Sequence, residues 1–536
     1  MKIKLLKNKD KMFCVLFFAV LLLPKVTLAA QYHVSPSGSD SNDGLTENTA
    51  WKTFSKAFSS MVAGDELILL DGTYSEEAGT GYISYLGINS AQIPSGIDRD
   101  HMTYVHAKNY GQVVIEGTLF VGRSFRRDNY IKLEGIKFNG VSSSAGQVYN
   151  ASYVMIRSCG FYADINDNGS VFGLGTNDIT TPATSNILIE DVWIWGRARI
   201  IAINYKSDRN IWRRVVVRGD GCTGVGCVNS PNVGITVYDS TKTSLQNVLV
   251  VDRRLDLAGS SPYADFAVAQ HTPGEAYGNN EWLGTISVKA PDGGYYFEPD
   301  ASSLSPAQTV RNAVALLPEN FGFNVSRTGD NHIENVTAYV SNSGGSGIRM
   351  APELGQTSGY VRNAVAFGNG RWGINSSLQP SYSNVYGTWE ESSYNQTVCA
   401  VGCLATNPLT NGSMEYITRI ENESPLKGTG YGEADYGANI VYRYGTDGAF
   451  WGDSGYNNLT SNLLWPWPNE DRIKVDFAST GNGARGFAVS GNGLYGGLIT
   501  LTSYIWEYLG NPCPADICNY ATDMISPDAP AGLAVR

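Results

Sequence analysis

The fold of this chain is decided by a short pattern that recurs along it, and IKLEGIKF (131–138) is its first clear copy. Apolar residues alternate with other residues on both sides of one small or polar residue, which here is Gly135. Such alternation indicates short strands, and the central residue suits a tight bend between them. Seven further copies follow: VMIRSCGF (154–161), ILIEDVWI (187–194), IWRRVVV (211–217), SLQNVLVV (244–251), TVRNAVALL (309–317), HIENVTAYV (332–340) and YVRNAVAF (360–367).

The copies recur at a nearly regular distance. Aligned on the central residue, they place there Gly135, Ser158, Asp191, Arg214, Asn247, Asn312, Asn335 and Asn363. The gaps between these positions are 23, 33, 23, 33, 65, 23 and 28 residues, which is a period near 23 with insertions. The gap of 65 residues fits two or three units, one of them around TISVKA (285–290).

A period of this size, with short strands and no helix between them, predicts a β-solenoid. One coil cannot bury its own apolar face, so coils stack with equivalent strands in parallel, about 4.8 Å apart. Asparagine at the centre of the later copies tolerates the left-handed backbone of a tight bend. Stacked asparagine side chains are also expected to bond to one another along the solenoid.

The N-terminal part adds a family resemblance. The stretches YHVSPSGSDSNDGLT (32–46), AWKTFSKAF (50–58) and AGDELILLDGTY (63–74) resemble the N-terminal cap of right-handed parallel β-helix proteins of the pectate-lyase-like superfamily. The resemblance covers roughly residues 31–420. It implies an all-β, right-handed parallel β-helix, and Trp51–Met61 is predicted to be a short capping helix. The superfamily holds lyases, hydrolases, epimerases, tailspikes and adhesins, so the resemblance is specific for fold and weak for activity.

Four segments are expected along the chain. Residues 1–29 read as a signal peptide, because a basic start precedes a short apolar run and small residues. Residues 30–420 form the β-helix with its N-terminal cap. Residues 421–525 form a C-terminal capping region that covers the last coil and contains a helix after Pro468 and another at Leu501–Leu509. Residues 526–536 are a linker or the start of a further module.

The net charge limits the kinds of partner that this protein can bind, and the signal peptide limits where it is located. Without residues 1–29, 33 basic and 49 acidic side chains remain, a net charge of −16, which argues against non-specific nucleic-acid binding. No later segment is apolar enough to span a membrane. The protein is therefore expected to be secreted, or to lie at the cell surface or in the periplasm. Its oligomeric state stays open.

The cysteines predict disulfides rather than a zinc site. Six of the seven mature cysteines fall into close pairs, Cys222/Cys227, Cys399/Cys403 and Cys513/Cys518. In an exported chain, local pairs of this kind read as disulfides. The remaining one, Cys159, lies in an apolar strand and is expected to be a buried thiol.

The repeat register predicts a charged column. Six residues past the central residue of four successive copies lie Asp164, Arg197, Asp220 and Arg253. Equivalent positions of stacked coils lie one strand spacing apart, so opposite charges are expected to alternate along the solenoid. Arg218 and Asp252 lie beside this column.

The column lies within the main basic cluster of the chain. Residues 197–218 hold seven basic residues and one acidic residue, Asp208. Arginines of this kind grip carboxylates, so the cluster suits an acidic sugar. The alternative is an ion ladder that satisfies its own charges, with Arg213 and Arg214 facing solvent.

A polysaccharide lyase needs little more than such a column. A cation neutralises the uronate carboxylate, a base removes a proton, and the leaving oxygen is protonated. Lys289 and Arg311, 22 residues apart, are expected to stack as a further base–acid pair. The candidate catalytic residues are Arg253, Asp220, Arg218 and Lys289. The candidate substrate-binding residues are Asp164, Arg197, Arg199 and Asp252.

No cofactor is firmly implied, and calcium is the one ion left open. DINDNG (164–169) matches the first half of a calcium loop but has Gly175 where the bidentate glutamate belongs. A polar turn is the alternative there. The acidic run SPSGSDSNDG (35–44) reads as turn chemistry at the entrance to the cap.

The sequence leads to two functions. The first is a secreted carbohydrate-active β-helix, with a polysaccharide lyase or glycoside hydrolase as the enzyme classes and an acidic polysaccharide as the partner. The second is a non-catalytic adhesin or envelope scaffold that binds glycan or protein along its length. No Gly-His-Gly hydrolase motif is present, and Arg472-Ile473-Lys474 lies in the predicted capping region.

Overall fold

The computed structural model describes residues 29–517. Its gaps are residues 84–90, 124–125, 141–143, 167, 176–183, 222–230, 255–263, 270–277, 299–307, 326–330, 343, 351–358, 369, 377, 388–398, 409–417, 494–496, 511–512 and 515–516. Strands are numbered in chain order across all sheets.

Three long parallel sheets run the length of the molecule. The first sheet contains β1 (Gln31–Val34), β2 (Glu66–Leu69), β4 (Thr103–Ala107), β7 (Asp128–Glu134), β10 (Ala151–Arg157), β13 (Ser185–Glu190), β16 (Ile211–Arg213), β19 (Ser244–Gln246), β22 (Asn280–Leu283), β25 (Gln308–Arg311), β28 (Asn331–Glu334) and β31 (Gly359–Arg362).

The second sheet is also twelve-stranded. It contains β3 (Gly72–Tyr74), β5 (Val113–Glu116), β8 (Lys137–Gly140), β11 (Gly160–Asp164), β14 (Trp193–Arg197), β17 (Val216–Gly219), β20 (Leu249–Val251), β23 (Ile286–Val288), β26 (Val314–Leu316), β29 (Thr337–Val340), β32 (Val365–Gly368) and β34 (Asn384–Tyr386).

The third sheet has ten strands. They are β6 (Leu119–Val121), β9 (Gly146–Val148), β12 (Ser170–Leu174), β15 (Ile200–Tyr205), β18 (Val233–Tyr238), β21 (Ala264–Ala269), β24 (Gly293–Glu298), β27 (Phe321–Val325), β30 (Ser346–Met350) and β33 (Trp372–Ser376).

From β4 to β33, each coil contributes one strand to each sheet in the same order, and strands of successive coils pair in parallel. This is a right-handed parallel β-helix, as the repeat and the resemblance predict. The inward-facing residues of all three sheets form one continuous apolar core along the axis.

The bends predicted between the first and second sheets are confirmed. Every central residue of the repeat has positive φ, from 49° at Asn247 to 79° at Gly135. The gap of 65 residues contains one further bend at Gly284, where φ is 66°, and the strand β23 that follows lies within the predicted TISVKA segment. The side chain at each bend therefore leaves the coil at the same corner.

The N-terminal part closes the first coil. β1 pairs with β2 at the start of the first sheet, and α1 (Phe54–Ser60) buries Phe54 and Phe58 against the core. Asp40 accepts hydrogen bonds from the backbone N–H groups of Lys52 and Thr53, at 3.0 and 2.9 Å. The acidic run is thus a turn that holds the start of this helix.

The C-terminal segment (418–517) contains an antiparallel hairpin and two helices. The hairpin is β35 (Tyr442–Tyr444) and β36 (Leu459–Leu463), and the helices are α2 (Glu470–Ser479) and α3 (Leu501–Leu509). The first helix starts after Pro468 as predicted, and the second has the predicted bounds, Leu501–Leu509. None of the helices in the described part of the chain has the length and hydropathy of a membrane span.

This segment lies along the side of the solenoid and not only over its last coil. Its apolar residues form a second core with outward-facing residues of the second sheet, from Trp193 to Phe367. Because the outer face of that sheet is apolar, a covering layer buries surface that would otherwise be exposed. The boundaries of the segment stay a prediction. The segment was expected to cover only the last coil, and it covers several coils of the second sheet.

The bend asparagines hold this segment. Asn363 Oδ1 accepts from the Tyr431 N–H at 2.7 Å, and Asn247 Oδ1 accepts from the Tyr444 N–H at 2.7 Å. Asn335 donates to the Asp435 carbonyl at 3.0 Å. The expected bonding of these asparagines to one another is therefore wrong, because the C-terminal chain runs across the bends and takes up their amides.

The predicted cysteine pairs are confirmed in part. Cys399 and Cys403 form a disulfide, Cys513 is disulfide-bonded, and Cys159 is a buried free thiol. Cys222, Cys227 and Cys518 lie outside the described residues.

Candidate functional site

The predicted charged column exists. The pairing of β11 with β14 sets Asp164 opposite Arg197, and the pairing of Gly196 with Gly219 brings Asp220 onto the next coil. Val217 pairs with Val250, which places Arg253 after Asp220 in the same column. The column lies at the corner where the second sheet turns into the third.

The four members of the column differ in exposure. Asp164 and Arg197 form a partly exposed ion pair, with Arg197 Nε 2.5 Å from Asp164 Oδ1. Asp220 and Arg253 are 1% and 4% exposed. Two of the four residues are therefore out of reach of a polymer that lies on the surface.

Asp220 is the centre of a buried ion cluster. Arg218, itself fully buried, places Nε 2.9 Å from Asp220 Oδ1. Arg485 of the C-terminal segment places Nη2 2.9 Å from the same oxygen. Burial lowers the pKa of Arg218, and the Asp220 charge raises it. Two guanidinium groups thus neutralise this buried carboxylate.

Arg253 has a partner of its own. Its Nε donates to Asp265 Oδ1 at 2.8 Å, and Ser287 Oγ donates to Asp265 Oδ2 at 2.7 Å. Burial raises the pKa of Asp265, and Arg253 lowers it. The Arg253–Asp265 ion pair is thus buried within one coil.

Asp252 and Lys289 lie at the same level as this column, where α3 crosses the second sheet. Tyr504 donates its hydroxyl to Asp252 Oδ1 at 2.7 Å. Lys289 is exposed, with Nζ 4.8 Å from the ring centre of Tyr508. Lys289 does not stack on Arg311, since it follows β23 of the second sheet and Arg311 ends β25 of the first. The predicted base–acid pair is therefore wrong.

Most arginines of the basic cluster (residues 197–218) form ion pairs with acidic residues of this chain. Arg213 and Arg214, expected to face solvent, are buried beside Glu190 and Asp191. Arg213 also donates to the carbonyl groups of the C-terminal segment at Thr446 (2.8 Å) and Tyr456 (3.0 Å). The sequence concealed this because the partner carbonyl groups lie more than 230 residues away.

Two basic residues of the cluster, Arg199 and Lys206, are not used in the ion pairs above. Within the described residues, Arg199 is exposed and forms no ion pair, and Lys206 lies over the Tyr205 ring with Nζ 5.5 Å from its centre. Arg199 precedes β15 and Lys206 follows it. Both therefore lie on the third sheet, on either side of its outer face.

That outer face was missed by sequence reasoning. The described contacts of the C-terminal segment lie on the first and second sheets, whereas outward-facing polar and aromatic side chains follow one another along the third. They are Tyr205, Tyr238, Tyr296, Phe321, Arg349 and Trp372, which are partly exposed, and Asn324 and Asn375, which are only 8% and 9% exposed. We refer to these residues, with Arg199 and Lys206, as the sheet-three face.

The rings of the sheet-three face occur in neighbouring pairs. Tyr205 and Tyr238 have ring centres 4.9 Å apart, and those of Tyr296 and Phe321 are 6.0 Å apart. The Arg371 guanidinium lies 4.3 Å from the Trp372 ring. Alternation of these residues with core residues such as Tyr295 and Phe297 was the signal that could have found the face.

A small cavity opens beside the charged column. Its volume is about 190 Å³, and it is lined by Tyr162, Asp164, Arg197, Asp220, Gly221, Gly481 and Asn482. One wall thus belongs to the β-helix and the other to the C-terminal segment. Among the described residues, no group of three or more His, Cys, Asp or Glu side chains could hold a metal ion. Whether calcium binds therefore stays open.

Comparison with known proteins finds similarity in architecture. No family model and no curated protein matches the sequence. Among solved structures, pectate lyase Pel9A is 16% identical, with 77% of this chain and 96% of that chain covered and a TM-score of 0.45. A rhamnogalacturonan lyase is 16% identical, covering 63% and 82%, with a TM-score of 0.38.

A third similar solved structure is also a polysaccharide lyase. The PL6 family polysaccharide lyase Pedsa3628 from Pseudopedobacter saltans is 12% identical, covering 66% and 86%, with a TM-score of 0.37. Similarity at this level concerns the fold and does not extend to activity. The parallel β-helix itself is shown by the three sheets of this chain.

Proposed function

We propose that this protein is a secreted, carbohydrate-active β-helix that binds an acidic polysaccharide along the sheet-three face and cleaves it by elimination. The observation that carries the proposal is the composition of this face. It combines partly exposed aromatic rings with cations along one long outer surface, and the described part of the C-terminal segment contacts the other two sheets.

The dimensions of the face suit a polymer. Ten strands at a spacing of about 4.8 Å give a surface about 43 Å long. Phe321 and Trp372 occupy one column two strands apart, since both pair with Ser346 of the strand between them. Aromatic faces in such a row pack against successive sugar rings, because the rings present apolar C–H groups to them.

The charges of the face suit an acidic polymer. Arg199 and Lys206 lie at opposite edges of β15. Guanidinium groups bind carboxylates through paired hydrogen bonds. On a chain with a net charge of −11, these cations give an anionic polymer a local point of attachment.

Elimination needs a base, an acid and a neutralised carboxylate. A base removes the proton beside the uronate carboxylate, the bond from carbon to the glycosidic oxygen breaks, and that oxygen takes up a proton. Burial and Asp239 raise the pKa of Tyr238, so its hydroxyl stays protonated and suits the acid. Lys206 supplies an amine for the base, and Arg199 neutralises the carboxylate.

The residues of the charged column fit this proposal less well. Catalytic functions for Arg218, Asp220 and Arg253 stay predictions, since buried ion pairs separate all three from solvent. Lys289 is exposed but lies on the second sheet. Asp164, Arg197 and Arg199 remain candidates for substrate binding, as they border the corner that leads onto the third sheet.

The test separates binding from cleavage. Purified full-length protein is run through gels that contain a uronate polymer or, as a control, a neutral glucan. Retardation by the uronate polymer alone supports binding, and equal mobility in both gels contradicts it. Absorbance of the unsaturated product, followed with and without calcium, tests elimination. Binding without product across the panel would favour the non-catalytic scaffold.

A further inference from the structure

The cavity beside the charged column has the features of a separate binding site. It lies on the seam between the β-helix and the C-terminal segment, next to the second sheet and not on the sheet-three face. The proposed function keeps Asp164 and Arg197 as candidates for polymer binding, but it does not require the cavity between the two segments. Its lining combines one aromatic side chain, two carboxylates, one guanidinium group, one amide and two glycines.

The charges of the lining are balanced. Asp220 is held by Arg218 and Arg485, and the Asp164 carboxylate is held by Arg197. Asp252 adds a third carboxylate, whose charge acts on Arg218, so three guanidinium groups stand against three carboxylates. Neither a cation nor an anion therefore gains an uncompensated charge there. A neutral ligand that offers and accepts hydrogen bonds is the better match.

Polar atoms with remaining hydrogen-bonding capacity face such a ligand. Asn482 Oδ1 is buried without a hydrogen-bond partner, while Asn482 Nδ2 donates to the Gly221 carbonyl at 3.1 Å. The Asp164 side chain is 56% exposed, and its Oδ1 accepts from Arg197. An amide oxygen and a carboxylate are both acceptors for hydroxyl groups.

The aromatic wall and the volume restrict the ligand further. Tyr162 packs against Trp195, with ring centres 5.5 Å apart, so its position is fixed. A cavity of about 150 Å³ can hold one benzene ring, so a volume of about 190 Å³ is the scale of one small ring and not of a polymer. The glycine at 481 has φ of 64° and approaches Asp220 closely.

We propose that this cavity binds a single neutral sugar ring or similar polyol. Asp164 and Asn482 accept from its hydroxyl groups, Arg197 donates to its oxygens, and Tyr162 packs against its apolar face. The proposal does not rest on the function of the sheet-three face, so either can fail alone.

The test uses free monosaccharides and the full chain. Neutral hexoses, hexuronic acids and calcium chloride are titrated separately, and binding is followed by saturation-transfer NMR for the sugars and by calorimetry for calcium. The variants are Asp164→Asn and Asn482→Ala. Arg209→Ala is the control, since Arg209 pairs with Asp208 on an exposed bend away from the cavity.

A neutral hexose is expected to bind wild type and the Arg209→Ala control equally. Each cavity variant should weaken it by about tenfold, as expected for the loss of a hydrogen bond to a charged or buried group. Thermal unfolding of each variant shows whether the fold is retained. The proposal is overturned if no neutral sugar binds wild type, if both cavity variants bind as wild type does, or if only hexuronic acids or calcium bind.

Discussion

Arg485 Nη2 lies 2.9 Å from Asp220 Oδ1, a contact between residues 265 positions apart in the sequence. The same guanidinium donates to the Gly219 carbonyl at 2.9 Å and to the Asp252 carbonyl. Gly219 and Asp252 lie on successive coils. One side chain therefore joins the C-terminal segment to two turns of the solenoid, at the point where the charged column was predicted.

Removal of this link should destabilise the protein. In Arg485→Ala, Asp220 keeps Arg218 but loses one of its two guanidinium partners in a buried site. We expect a loss of about 2–4 kcal/mol in the free energy of unfolding, measured by urea denaturation. Arg209→Ala removes an exposed pair and should cost less than about 1 kcal/mol. Equal losses in the two variants would contradict the buried link.

A second buried arginine should fix another part of the same segment. Arg213→Ala leaves Glu190 with one partner fewer and frees the carbonyl groups of Thr446 and Tyr456. We expect about 3–5 kcal/mol of destabilisation, together with faster proteolysis within residues 446–458. The control is Arg311→Ala, whose guanidinium is 45% exposed and pairs with Glu334. Cleavage at the wild-type rate would show that Arg213 does not hold this stretch.

Substitution of an aromatic residue on the sheet-three face should weaken polymer binding. Trp372→Ala should weaken retardation by a uronate polymer, because a stacking surface is lost, at a cost of about 1 kcal/mol. Tyr442→Ala, an exposed tyrosine on the hairpin, is the matched control and should bind normally. If Trp372→Ala and the control behave alike, the polymer does not lie on this face.

Tyr238→Phe should retain polymer binding and lose the unsaturated product, since the phenyl ring stays but the donated proton is removed. Because the pKa of Tyr238 is raised, the wild-type rate should not fall until the pH exceeds the ordinary tyrosine value of about 10. Product formation by Tyr238→Phe at the wild-type rate would exclude the tyrosine as the acid.

Cys159 should report unfolding through its reactivity. Burial raises the pKa of its thiol to about 12, so the native side chain stays protonated and inert at pH 9, whereas an unfolded cysteine with a pKa of about 8.5 is largely ionised. The unfolded state then releases the proton first, and this group lowers stability as the pH rises from about 8.5 to 12. Alkylation at pH 9 should therefore require urea. Rapid labelling of the native protein would contradict the burial.

The repeat determined the solenoid and the place of each bend. A residue such as Asn312 must adopt a left-handed backbone between two short strands, and this is a local property that spacing and residue type reveal. The pairing of Asp164 with Arg197 followed from the same register, because stacked coils place equivalent residues one strand apart. These features depend on neighbours in the sequence or on neighbours one period away.

The partners of the charged side chains were decided only by the tertiary structure. The sequence places Arg218 and Asp220 in a column, but the carboxylate is covered by Arg485, and Arg213 is covered by residues 446–456. The repeat period determines which positions of successive coils stack on one another. It does not determine which surface is covered by a segment that lacks the repeat, such as the C-terminal segment. The C-terminal segment covers Arg218 and Asp220 because the outer face of the second sheet is apolar, whereas Arg253 is buried by Asp265 of the solenoid and Lys289 stays exposed.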